Sequence, residues 1–143
     1  MTTLLSLATR MRNLTGSLAN EASRCAVETA IAIQKDLTLV TPVDTSTALS
    51  NWDITIESPA NNFHEPYFIG KKGSTKLRSA SKAQQTGIEV LANKKAGQTI
   101  FITNNAPYIR KLNNGSSSQE PAGFVQRSVI IGKKVARKFK VKL

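Results

Sequence analysis

Apolar residues recur at steps of mainly three and four along the first quarter of the chain: Leu4, Leu7, Met11, Leu14, Leu18, Ala22, Cys25, Ala26, Ala30 and Ile33. Arg12, Asn20, Glu21, Arg24, Glu28 and Lys35 fall on other faces. This spacing predicts an amphipathic helix over residues 4–36, about 50 Å long at ~1.5 Å per residue. Gly16 is the position expected to divide it, because an interior glycine costs about 1 kcal/mol. The stripe is rich in Ala, Leu and Met, which suits close packing on a sheet or on a neighbouring subunit. Pro42 ends the helical region and pushes Thr41 toward an extended conformation.

After Pro42 the period changes. Asp44 or Thr45 can cap a short helix through Leu49. Trp52, Ile54 and Ile56 then alternate with Asp53, Thr55 and Glu57, the period-two pattern of a half-buried strand. Residues 58–87 are the least regular, and Tyr67-Phe68-Ile69 is read as a short strand or a docking patch. Ile88 and Val90, then Ile100 and Ile102, alternate again. An antiparallel hairpin of residues 87–92 and 98–103 about Asn93–Gly97 is the simplest pairing, with a helix over Ser79–Leu91 as the competing reading. Pro107–Asn113 suits one helical turn, stopped by Asn114-Gly115. From Phe124 onward, Val125, Val129, Ile130, Val135 and Phe139 predict a second helix, or a helix and then a strand if Gly132 interrupts it. The fold class expected is α+β: a long N-terminal helix packed on a small, mostly antiparallel sheet, with a C-terminal helix.

Composition narrows the function. At 143 residues the chain is expected to form one domain. It contains no run of about 18 apolar residues, so no transmembrane helix is expected. The start reads as a helix and not as a secretion signal, because Thr2, Thr3, Ser6, Thr9, Arg10 and Arg12 break the apolar stretch. One Cys and one His exclude a disulfide framework and a Cys/His zinc site. Cys25 sits on the helical stripe as a small core residue, and His64 is read as a surface residue of a loop. Gly70 to Thr75 mimics a phosphate loop, but only two residues separate Gly70 from Gly73, and Ser74, not Lys, directly follows the second glycine. No enzymatic activity is expected.

Charge is divided unevenly. The net charge is +11, with −3 in residues 1–70 and +14 in residues 71–143. Such a field favours a negative partner, whether nucleic acid, an acidic membrane or an acidic protein surface. Residues 70–82 carry Lys71, Lys72, Lys76, Arg78 and Lys82 among small polar residues, and are expected to form a mobile basic loop that docks on an acidic neighbour. The basic tail from Lys133 to Lys142 is a second candidate.

Two segments together resemble a known family. One is Thr41-Pro42-Val43-Asp44-Thr45-Ser46-Thr47-Ala48-Leu49-Ser50-Asn51-Trp52. The other is Asn105-Ala106-Pro107-Tyr108-Ile109-Arg110-Lys111-Leu112-Asn113-Asn114-Gly115, continuing through Pro121-Ala122-Gly123-Phe124-Val125. In order and spacing they resemble the head–tail joining, or tail-completion, proteins of tailed bacteriophages, of the minor tail protein Z type. Ser46 departs from the family's usual glycine, and Asn114 from its usual acidic residue. The resemblance implies a structural virion protein forming a homo-oligomeric ring, commonly a hexamer, at the phage neck. Its partners would be head connector or stopper proteins and tail terminator or tail tube proteins. Genomic DNA would pass transiently through its channel, with no cofactor and no membrane partner. It would be assembled in the host cytoplasm. Pro42, Asp44, Thr45, Trp52, Tyr108, Gly115 and Phe124 are the candidate subunit or partner contacts. The competing class is a basic nucleic-acid-binding protein. Against it, Phe101, Tyr108, Phe124 and Phe139 are few and not interleaved with the basic runs as a stacking platform.

Overall fold

The computed structural model of the chain describes residues 3–143. Its first element, α1 (Leu4–Val40), is one unbroken helix of 37 residues, about 55 Å long. The Thr3 hydroxyl caps it by accepting the Ser6 N–H at 3.1 Å. Thr41 ends it in an extended conformation ahead of Pro42, as expected for a residue preceding proline. Gly16 does not divide the helix: space is open around it, and the ladder on either side carries the propensity cost.

Six shorter elements follow: α2 (Thr47–Ser50), β1 (Trp52–Ile56), α3 (Lys76–Leu91), β2 (Ile100–Asn104), α4 (Ile109–Asn113) and α5 (Phe124–Lys138). The fold is α+β, as expected. The expected hairpin is not formed. Strand β2 pairs antiparallel with β1, with Trp52 opposite Asn104, Ile54 opposite Ile102 and Ile56 opposite Ile100. Residues 87–91 instead end α3, the competing reading. Ser79, Ala80, Ala83, Gly87 and Leu91 form the buried face of that helix, and their three-to-four spacing outweighs the alternation of Ile88 and Val90. Lys76, Arg78 and Lys82, expected in a mobile loop, therefore stand on its first two turns. Tyr67–Ile69 form no strand. Gly132 does not interrupt α5, which is continuous to Lys138.

Only the second half of α1 is packed. Ala30 joins Ile54 and Leu91 in one apolar cluster, and Leu37 joins Trp52 and Phe124 in another. Gln34, 2% exposed, donates from Nε2 to the Trp52 carbonyl at 3.0 Å and to the Ala83 carbonyl at 3.1 Å. One buried amide thus ties α1 to β1 and α3. Helix α5 runs back along α1: Ser128 Oγ donates to Asp36 Oδ2 at 2.6 Å, Gly132 faces Thr29 and Ile33, and the Arg24 guanidinium lies 4.2 Å from the centre of the Phe139 ring. No helix among the described residues is long and apolar enough to cross a membrane.

Candidate functional site

The two segments singled out in the sequence meet in space. Pro42, Asp44 and Thr45 from the first, and Tyr108 and Leu112 from the second, line one recess of about 280 Å³. Gln119 bolts its wall: Oε1 accepts the Val43 N–H at 2.9 Å, and Nε2 donates to the Val43 carbonyl at 3.0 Å. Tyr108 stands at the rim, 39% exposed.

The corner is built differently from the expected cap. Neither Asp44 nor Thr45 caps α2. Asp44 Oδ1 accepts the Lys72 N–H at 2.7 Å, and the Asp44 carbonyl accepts the Gly73 N–H at 2.8 Å. The Thr45 and Thr47 hydroxyls pair at 2.7 Å. Ser46 precedes α2 with a φ of 69°, the left-handed region that favours glycine. It is buried, and its hydroxyl meets Thr75 Oγ1 at 2.8 Å. Since Thr75 Oγ1 gives its one proton to the Phe68 carbonyl, Ser46 is the donor of that pair.

Other candidates divide into supports and surface. Trp52 is 6% exposed and Phe124 is not exposed at all. Both belong to the chain's own core and hold the corner from beneath, so neither is a direct contact. Pro42 is likewise buried. Gly115 is exposed, with a φ of 92°; it turns the chain after α4 so that Asn113 O accepts the Gly123 N–H at 2.7 Å. Lys71 and Lys72 are exposed. The Arg78 guanidinium lies over the Phe68 ring at 4.3 Å, and Arg78 and Lys82 flank a shallow recess beside that ring. Lys133, Lys134, Arg137 and Lys138 form an exposed basic ridge on α5, continued by Lys140 and Lys142.

Three features were not anticipated. First, His64 is half-buried and its Nε2 lies 3.1 Å from Asp53 Oδ1. Its Nδ1 faces the Glu65 carbonyl at 2.9 Å and so must donate. The contact with Asp53 is therefore a hydrogen bond only when a proton sits on Nε2 or on the carboxyl. Burial raises the Asp53 carboxyl above its ordinary range, opposed by the His64 hydrogen bond and charge. Second, the N-terminal half of α1 has no cover: Leu4, Leu7, Met11, Leu14 and Leu18 are 86%, 45%, 61%, 49% and 46% exposed. The sequence showed that stripe but not that half of it is bare. Third, an apolar groove of about 480 Å³ opens between α1, β2 and α5. Among the described residues, no three His, Cys, Asp or Glu side chains are placed to hold a metal ion. No protein-family model, curated protein or solved structure matches the chain.

Proposed function

We propose that this chain is a structural virion protein of the tailed-phage neck, of the minor tail protein Z type, acting as a ring that joins the tail to the head connector and lets the genome pass. The bare half of α1 carries the reading. A helix leaving five large apolar residues in water on one stripe is completed by another protein surface. The recess formed jointly by the Pro42–Thr45 corner and Tyr108 adds support, because it unites the two segments on which the resemblance rests. Light scattering and negative-stain images of the purified chain test it. A closed ring of several copies is expected, about six by the resemblance.

The second reading, a nucleic-acid-binding protein, draws on the basic ridge of α5 and the tail. Binding to mixed-sequence DNA across a salt series separates the two. Tight binding by a monomer, with log affinity falling steeply against log salt, and no ring at any concentration, overturns the neck reading. A ring that binds DNA weakly supports it and leaves the ridge as a channel lining.

A further inference from the structure

We infer that the bare N-terminal half of α1 docks into the apolar groove of a second copy of this chain. The inference rests on the assembly reading and names the surfaces that join. Three observations carry it.

The first is placement. The groove floor is made by α1 itself, from Ala22, Cys25, Ala26 and Thr29, and its far wall by Ile100 and Ile102 of β2. On a helix these floor residues lie on the same side as Leu4, Leu7, Met11, Leu14 and Leu18. Ridge and groove are therefore consecutive stretches of one face. Helix α5 partly covers that face at Gly132, against Thr29 and Ile33, and the bare ridge lies further toward the N-terminus of α1. A helix docked in the groove extends the existing α1–α5 packing.

The second is shape. The ridge is Leu and Met, while the floor is Ala, Cys and Thr as far as Ile33 at its inner end. Large side chains facing small ones allow two helices to interdigitate without voids. The ridge spacing of three and four is the seam pattern of helix–helix pairing. Because α1 is unbroken from Leu4 to Val40, the wound ridge cannot reach its own groove, and a helical occupant comes from another molecule.

The third is area. The ridge of Leu4, Leu7, Met11, Leu14 and Leu18 leaves on the order of 500 Å² of largely apolar surface in water, a size that on a monomer often marks an interaction site.

Cys25, the single cysteine, lines the groove and supplies the test. In the Leu14→Cys variant the two thiols of one chain are about 16 Å apart along α1, beyond the ~7 Å between Cα atoms that a disulfide spans. Within the wound helix the two thiols cannot meet, and a non-reducing gel reads the disulfides between chains. Mild oxidation of L14C should give covalent oligomers on a non-reducing gel. L14C in a C25S background should lose them, and Asn13→Cys, on a face turned away from the ridge, should give less than about a tenth as much. Oligomers that persist in the C25S background mean that ridges pair with each other and overturn the inference; so does the absence of any disulfide from L14C. A ladder beyond the dimer supports both the docking and a ring, since each ridge then meets a different neighbour. Oligomers that depend on Cys25 but stop at the dimer uphold the docking as a reciprocal exchange and overturn the ring.

Discussion

The indole nitrogen of Trp52 donates to the Thr41 hydroxyl over 2.7 Å, joining the first residue of β1 to the residue that ends α1. Thr41 Oγ1 passes its own proton to the Leu37 carbonyl, within the last turn of the helix. Both side chains are buried, so neither polar group has water as an alternative. Thr41→Val should strand the indole N–H and cost about 1–3 kcal/mol, while Thr41→Ser should cost less than about half of that. Urea unfolding midpoints of the two variants check this. Equal losses would show that the methyl group, and not the hydroxyl, holds the corner.

Ser46 sets a second test at the same corner. Its left-handed backbone is unfavourable for a side chain, and its hydrogen bond to Thr75 offsets the cost. Ser46→Gly removes both terms and is expected to stay within about 1 kcal/mol of the parent. Ser46→Val keeps the strain, adds a β-branch and loses the bond, and should cost at least about 2 kcal/mol. Thermal midpoints in this order, Gly well above Val, are the expected result; the reverse order rejects the account.

Gly132 lets α5 approach α1. A methyl group there meets the Ile33 side chain within contact distance. Gly132→Ala is therefore expected to destabilise by about 1–3 kcal/mol through overpacking, although alanine is the better helix former. Adding Ile33→Ala should recover part of the loss in a double-mutant cycle. Purely additive losses would mean that the two positions do not touch.

Two carboxyls give opposite pH slopes. Burial raises Asp53 above its ordinary 3.8, so the folded state binds this proton more tightly than the unfolded one. Its contribution favours the fold at low pH and is lost as pH rises through the folded value. Glu21 is lowered below its ordinary 4.5, first by its hydrogen bond to Arg24. Its contribution is present above 4.5 and is lost as pH falls through the folded value. Stability measured against pH in D53N and E21Q should lose the first and second slope respectively. Salt should weaken only the second, because Glu21 is paired at the surface with Arg24.

The long helix and α5 are legible because their periodicity persists over several turns. The stripe at Leu4–Ile33 needs no tertiary knowledge, and Pro42 marks its end. The middle of the chain is less readable. Ile88 and Val90 satisfy an alternating and a helical pattern equally well over so short a window. What decides for α3 is the small face of Ser79, Ala80, Ala83 and Gly87, which packs against Val43 and Leu49 at Ala80 and close to Gln34 at Ala83 and Gly87, and carries almost no hydropathy signal. The pairing of β1 with β2 links segments more than forty residues apart, which local pattern cannot register. The convergence of Asp44 with Tyr108, and the His64–Asp53 contact, are equally products of the tertiary fold.

Geometrically α1 is a single rod, but energetically it is two. From Val27 onward its turns are held by Leu37, Gln34 and the α5 packing, and they open only with the whole domain. From Leu4 to Leu18 they are held by local propensity alone, in a stretch containing Thr9, Asn13, Thr15 and Gly16, at a length where isolated helices are marginal in water. Amide protons along one continuous helix should thus exchange at rates that differ by orders of magnitude. Whatever covers the outer half must first supply the free energy that keeps it wound, so capture of this segment doubles as completion of its folding.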